Sequence, residues 1–245
     1  MELTNKRGFT SNGLKIIAII AMTFDHVAME FIPYSSVVGQ LFRVIGRLTI
    51  AIMCYMVTEG FFHTRDLKKY MIRMFIFALI SHVPYVFLHT GKISFLMDGA
   101  FGTSVMWPLF LGLVSLWVWN HQNIHKAFKI IILILLCLLA NEGDWGPLAV
   151  IWIWGFGLFH KNTKKQMIFF GAIAFAMALS AALMWEFTTE YPWYREVFQF
   201  GLLCAIPILM KYNEERGKSK NIKWLFYIYY PLHMIILGII ALIVK

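Results

Sequence analysis

The feature that most constrains this chain is a succession of long apolar runs, unbroken rather than alternating, joined by short polar connections. In lipid, backbone N–H and C=O groups find no partners in the solvent. Only helices, or strands closed into a barrel, satisfy them. Strands of a membrane barrel alternate apolar and polar residues, which these runs do not do. The expected fold is therefore all-α: a polytopic transmembrane helical bundle of about nine helices, forming one transmembrane domain over residues 1–245. The expected spans are 14–32, 41–62, 70–89, 103–119, 126–140, 145–160, 166–185, 195–210 and 222–244. A straight crossing of about 30 Å of hydrocarbon takes roughly 20 residues. The fifth and sixth runs are short for that, and a tilted or re-entrant pair around the turn Asn141-Glu142-Gly143-Asp144 is the alternative. Composition agrees, because 60% of the residues are hydrophobic and 14% charged, with a mean hydropathy of +0.67. A soluble domain carries about 25% charged residues.

Most of the 22 lysines and arginines fall in every second connection. They are Lys6, Arg7 and Lys15; Arg65, Lys68, Lys69 and Arg73; Lys126 and Lys129; Lys161, Lys164 and Lys165; and Lys211, Arg216, Lys218, Lys220 and Lys223. Cytoplasmic connections hold such an excess. The expected orientation is an N-terminus in the cytoplasm and a C-terminus outside. The first run is long and no small-residue cleavage site follows it, so it is expected to stay as a span. The net charge of +9 reads as topology signals facing anionic lipid, not as a nucleic-acid surface. Trp107, Trp117, Trp119, Trp145, Trp185, Trp193 and Trp224 fall mostly near span ends, as an interfacial belt does. Cys54, Cys137 and Cys204 lie far apart inside apolar runs and are expected to be buried free thiols.

Ionisable groups inside spans each cost at least about 2.5–3.5 kcal/mol at the helix centre, so they mark function or pairing. Asp25-His26 lies in the outer half of the first span, and Arg43 and Arg47, four residues apart on one helix face, near the outer end of the second. Asp25 can orient His26 as a general base or pair with Arg47, leaving His26 as the reactive group. The arginines can stabilise an oxyanion or hold an anionic substrate, or serve only as a structural ion pair. His82 with Ser81 and Pro84, the turn residues Asn141, Glu142 and Asp144, and Tyr229, Tyr230 and His233 add further polar groups. Together they suggest a polar cavity open to the outside. A metal held by His26, His82, His233 and Asp25 is an alternative that no spacing demands; no metal is expected. At the inner end of the second span, Glu59, His63, Arg65 and Asp66, with Arg73 following, form either a solvated network or a cytoplasmic mouth for an anionic donor.

Several motifs fall in the order of a known family. Asp25-His26, Gly46-Arg47-Leu48, Glu59-Gly60-Phe61, His63-Thr64-Arg65, Lys69-Tyr70, Arg73, Phe77-Ala78-Leu79-Ile80-Ser81 and Pro84 come first. Leu111-Gly112-Leu113, Asp144-Trp145-Gly146, Tyr212-Asn213, Trp224, Phe226-Tyr227 and Tyr230-Pro231-Leu232-His233 follow. This pattern, over nearly the whole chain, resembles the TraX family, whose founding member acetylates the N-terminus of F-type pilin. The family is distantly similar to other transmembrane acyltransferases. The resemblance implies a multi-pass protein of the bacterial cytoplasmic membrane that moves an acetyl or other acyl group from acetyl-CoA or another acyl-CoA to an acceptor outside. It points to Asp25, His26, Arg47, Glu59 and His233. The acceptor stays open between a protein N-terminus, a lipid, a glycan and a small amine. The chain departs from the family after Pro84, where an acidic residue is missing, at His82, and in the loop before Trp107. The expected partners are membrane lipids, acyl-CoA and the acceptor, no nucleic acid, with room for a homo-oligomer. The rival readings are a proton-coupled small-molecule transporter and a structural assembly partner.

Overall fold

In the computed structural model, which describes residues 8–97, 102–188, 193–219 and 222–244, each expected run becomes helix. The helices are α1 (Ser11–Phe31), α2 (Val37–Gly46), α3 (Leu48–His63), α4 (Leu67–Thr90), α5 (Met106–Asn120), α6 (Lys126–Ala140), α7 (Gly146–Leu158), α8 (Thr163–Thr188), α9 (Ala205–Met210) and α10 (Ile222–Val244). A 3₁₀ helix, Trp193–Cys204, leads into α9. Lys6, Arg7 and Lys220, and the side chains of Trp185, Trp193 and Lys223, lie outside the described residues. Among the described residues there is no β-strand, only isolated bridges.

Three expected helices differ in detail. The run 41–62 is interrupted at Arg47, which keeps helical dihedrals (φ −60°, ψ −22°), so α2 and α3 are separated by a single residue. The run 195–210 is wound as 3₁₀ over its first part, a long stretch for that tighter helix. The run 103–119 begins at Met106, because Thr103 is engaged instead in a bridge to Gly143. Starts are set by side chains that accept the otherwise unpaired first N–H groups. Thr10 Oγ1 takes Gly13 N–H, Ser36 Oγ takes Gly39 N–H and Asp66 Oδ1 takes Lys69 N–H. Gly91, in the left-handed region at φ 68°, ends α4.

Among the described residues, four stretches are long and apolar enough to cross a membrane: Val37–His63, Leu67–Thr90, Thr163–Leu183 and Trp224–Val244. Met106–Asn120, Gly146–Leu158 and Glu196–Met210 are shorter apolar helices. At 1.5 Å per residue, α5 to α7 reach only about 20–22 Å, less than the roughly 30 Å of a straight crossing. The outward faces are apolar: Ile72, Phe75, Ile76, Leu79 and Ile80 on α4, and Ile228, Leu232, Ile235, Ile236, Ile239 and Ile240 on α10, are all exposed. Such continuous apolar surface has lipid, not water, as its matching solvent. Cys54 is buried as expected, but Cys137 is half-buried and Cys204 exposed.

The described residues group into two compact units. The first takes the chain up to Ile52 and Thr163–Phe226. In it α2 packs on α1, with Phe24 edge-on to Phe42 at 4.6 Å between centroids, and also on the 3₁₀ helix, which lies against α8. Two glycines allow these approaches. A Cβ at Gly46 would sit 2.4 Å from Asp25 Cβ, and one at Gly201 would sit 2.4 Å from the Val44 carbonyl oxygen. The N-terminal stretch is tied to the 211–219 loop by Phe9 N–H to the Lys211 carbonyl (2.8 Å), Ser11 N–H to the Glu215 carbonyl (2.7 Å) and Asn12 Nδ2–H to the Ser219 carbonyl (2.7 Å). These are two segments that the charge pattern expects on one side.

The second unit takes Met53–Asn162 and the chain from Tyr227. Here α5 is central, packing against α4, α6 and α7. The Thr58 hydroxyl donates to the Ile153 carbonyl of α7 (3.2 Å). Thr103 N–H donates to the Glu142 carbonyl (2.8 Å) and Asp144 N–H to the Thr103 carbonyl (2.9 Å), joining two segments expected on the opposite side from the basic loops.

Candidate functional site

In the first unit the close approach at Gly46 brings α1 against the end of α2, and there the Asp25 carboxylate meets Arg47. Arg47 Nη2 lies 3.2 Å from Oδ1 and 3.4 Å from Oδ2. The two side chains are only 11% and 24% exposed, so the pair is worth more than a surface ion pair. Of the two sequence alternatives for Asp25, the geometry is the pairing with Arg47. His26, the next residue on α1, directs Nδ1 to the Met22 carbonyl at 2.9 Å. A carbonyl only accepts, so Nδ1 carries the proton and Nε2 the lone pair of the neutral ring. That is the tautomer a general base needs.

One turn before Arg47, the Arg43 guanidinium lies over the Tyr34 ring at 4.3 Å and the Phe198 ring at 5.1 Å. Arg47 also lies over Phe198, at 4.8 Å. The Tyr34 hydroxyl donates to Glu196 Oε1 at 2.9 Å, and Gln199 Nε2 donates to Glu196 Oε2 at 3.2 Å. Burial, with the Glu196 carboxylate adding to it against the opposing pull of Arg43, pushes the Tyr34 phenol up to about 12. The phenol therefore stays a donor at physiological pH.

The second unit holds two further clusters. In one, His82 is buried with both ring nitrogens engaged: Nδ1 with the Thr103 hydroxyl and Nε2 with the Phe95 carbonyl, each at 3.0 Å. The carbonyl takes the Nε2 proton, so Nδ1 accepts from Thr103. His82 thus clamps α4 to the segments around 95 and 103. Nearby, Tyr85 and the buried Tyr230 lie within electrostatic reach of the exposed Asp144. Asn141 is exposed on the same turn. His233 is buried, bonded through Nδ1 to the Tyr229 carbonyl (2.9 Å) and packed parallel to the Tyr229 ring.

The other cluster centres on the buried Glu59. His63 Nδ1 and His160 Nε2 each lie 3.6 Å from its carboxylate oxygens, and the His160 ring stacks on Phe62 at 3.7 Å. Arg73 lies over Tyr70 and over Tyr227, at 5.3 Å from each ring. Arg65 is exposed on the loop that follows α3. Among the described residues no three His, Cys, Asp or Glu side chains are placed to share a metal ion.

Of the residues singled out from sequence, Asp25, His26, Arg43 and Arg47 fall in the first unit. Glu59, Arg65, His82, Asn141, Asp144, Tyr230 and His233 fall in the second. Sequence reasoning missed Tyr34, Glu196, Phe198 and His160. Glu196 alone carried a signal, as an acidic residue at the head of an apolar run.

A family model described as TraX protein matches residues 10–241. A protein of Dichelobacter nodosus named "Probable fimbrial assembly protein FimC, serogroup H1" is 28% identical over 235 residues, covering 94% of each chain. An uncharacterised protein of Rickettsia prowazekii (strain Madrid E) is 25% identical over 168 residues, 65% of this chain and 60% of its own. No solved structure matches.

Proposed function

The chain belongs to the TraX family, and from that premise we propose that it is an acyltransferase embedded in the bacterial cytoplasmic membrane. It takes an acetyl or other acyl group from acyl-CoA on the cytoplasmic side and delivers it to an acceptor at the outer face. The name of the Dichelobacter relative ties the family to fimbrial assembly, which makes a fimbrial subunit one candidate acceptor.

The observation that carries the proposal is the pairing of Asp25 with Arg47 beside a histidine whose Nδ1 is held by the Met22 carbonyl. His26 Nε2 takes the proton from the acceptor's amine or hydroxyl as the nitrogen or oxygen bonds to the thioester carbonyl carbon. The carbon–sulfur bond then breaks, and the departing thiolate takes that proton back from the imidazolium. The transferred group leaves on the acceptor, and free CoA returns to the cytoplasm. Arg47, oriented by Asp25, faces the negative charge that develops on the carbonyl oxygen. A fixed guanidinium in a poorly solvated site stabilises such charge far more than water does. The basic loops, with Arg65, and Arg73 over the Tyr70 and Tyr227 rings are the candidates for attracting the CoA phosphates from the cytoplasm.

The test is acetyl-CoA binding and slow hydrolysis by purified protein, with His26→Ala alongside. Binding retained and hydrolysis lost in the variant is the expected result. Undiminished hydrolysis in His26→Ala, or no acyl-CoA binding at any chain length, would overturn the proposal. In the second case substrate flux in proteoliposomes is the next assay.

A further inference from the structure

Arg43 is placed differently from Arg47, and the transfer step does not use it. It stands in the second turn of α2, about 9 Å from the helix start at 1.5 Å per residue. Its guanidinium lies over the adjoining Tyr34 and Phe198 rings, at 4.3 and 5.1 Å from their centroids, and neither ring is free to drift. The Tyr34 hydroxyl is bonded to Glu196 and its carbonyl accepts from Gln40 Nε2 at 2.9 Å. Phe198 is 2% exposed and meets Tyr34 edge-on at 5.8 Å.

Ring faces attract a guanidinium by about 0.5–2 kcal/mol, but they accept none of its five N–H donors. Among the described residues no carboxylate lies within ion-pair distance of Arg43, whereas Arg47, one turn on, is engaged by Asp25. Neither ring engages the N–H edge of Arg43, and that edge is the part a ligand can meet. Two parallel N–H groups on that edge match two oxygens of a phosphate or a carboxylate. Keeping a half-buried guanidinium there without a carboxylate partner is costly in a span, and a ligand oxyanion offsets that cost.

We propose that Arg43, clamped by Tyr34 and Phe198, is the binding site for an oxyanion carried by the acceptor. The acceptor is then an anionic molecule, bearing a phosphate or carboxylate about one helical turn from the group that is acylated. Arg43 is closer than Arg47 to the start of α2, the end assigned to the outer side, so the site lies toward the acceptor's approach. That last assignment rests on the acyl-transfer reading; the oxyanion site itself does not.

The experiment therefore uses no donor and no turnover. Line broadening of inorganic phosphate is followed by ³¹P NMR, and of acetate by ¹³C NMR, on the full chain in maltoside micelles. Wild type, Arg43→Gln, Arg43→Lys and Tyr34→Leu are compared, with thermal melts confirming that each is folded. At least one probe is expected to bind wild type, to lose about tenfold or more in affinity in Arg43→Gln, and to bind Arg43→Lys and Tyr34→Leu with intermediate strength. Competition by glycerol 3-phosphate marks a water-soluble phosphate source. Competition by dihexanoylphosphatidylglycerol at lower concentration marks a lipid headgroup. Equal binding by wild type and the folded Arg43→Lys and Arg43→Gln variants, or no binding of either probe to wild type, would overturn the proposal.

Discussion

Gly46→Ala sets two physical effects of opposite sign against each other. Replacing glycine by alanine inside a helix ordinarily stabilises by up to about 1 kcal/mol. At Gly46, however, the new methyl would lie 2.4 Å from Asp25 Cβ and 2.5 Å from both Cγ and Oδ1. Ordinary carbon contacts are about 3.5–4.0 Å, so α1 or the Asp25 side chain must retreat by about 1 Å. Overpacking of this kind costs about 1–3 kcal/mol. The same movement stretches the 3.2 Å Asp25–Arg47 contact beyond hydrogen-bond reach. For a pair this sheltered, that loss is about 1–3 kcal/mol, between the exposed and the fully buried cases. The net expectation is a destabilisation of about 1–6 kcal/mol, read as a lower thermal midpoint in detergent. A displacement of about 1 Å at a catalytic group also costs roughly a hundredfold in rate, read in the acetyl-CoA hydrolysis assay. Gly13→Ala is the control, since a Cβ there meets nothing closer than Thr10 Oγ1 at 3.6 Å. Asp25→Gly removes the clashing atoms, so the double variant should show most of the Gly46→Ala cost as coupling. A Gly46→Ala protein as stable and as active as wild type would refute the claim that this glycine positions the pair.

Gly201→Ala should be at least as harmful as Gly46→Ala, because its Cβ would lie 2.4 Å from the Val44 carbonyl oxygen and backbone cannot swing aside; thermal denaturation of the two variants side by side checks the order. Thr103→Val removes the hydroxyl that donates to His82 Nδ1, so amide exchange at Thr103 and Asp144 should speed up while that of α5 stays protected. Asp66 caps α4, and the Lys69 backbone N–H, with the Lys69 ammonium assisting, holds its carboxyl below the ordinary value of 3.8. A depressed carboxyl pKa contributes stability that is full above the unfolded value and is lost as pH falls through the folded one. Fraying of the first turn of α4, followed by exchange of the Lys69 amide, should therefore begin only below pH 3.8, and Asp66→Ala should abolish that pH step.

Helices were legible in this chain and their mutual placement was not. Residues 126–140 were read from an unbroken apolar run alone and coincide with α6, because lipid leaves the backbone no alternative to internal pairing. The interruption at Arg47 was invisible in hydropathy, since it arises where α1 must pass close to Gly46. The Asp25–Arg47 pairing was one of two open alternatives, because spacing shows only that both residues reach a similar depth. Tyr34 and Glu196, 162 positions apart, meet only through the packing of the 3₁₀ helix on α2, a long-range contact with no local signature. His160 escaped notice for a similar reason: it follows α7, and its partner Glu59 lies on α3. The sequence marks His82 as a candidate ligand, and its geometry is that of a clamp, with both ring nitrogens bonded.

Arg43 and Arg73 each lie over two aromatic rings, and at Arg43 that arrangement separates charge from carboxylate pairing. Arg43 stands in the second turn of α2 over the Tyr34 and Phe198 rings, and Arg73 in the second turn of α4 over the Tyr70 and Tyr227 rings. A carboxylate partner would hold Arg43 more tightly, but it would neutralise the charge and occupy the N–H groups. Aromatic faces hold the cation through its π-plane and leave net positive charge in place. Arg47 follows the opposite plan: Asp25 fixes its direction, and the site loses a formal charge in return. Orientation is what a transition-state contact requires, and net charge is what recruitment of an anion requires. If that division is correct, Arg47→Lys should lower the hydrolysis rate with little change in acetyl-CoA affinity, because the charge survives and the directed fork does not. Arg73→Lys should instead weaken acetyl-CoA binding and leave the rate at saturating thioester near that of wild type. The reverse pattern, measured by binding and single-turnover kinetics on the same preparations, would refute the assignment of orientation to Arg47.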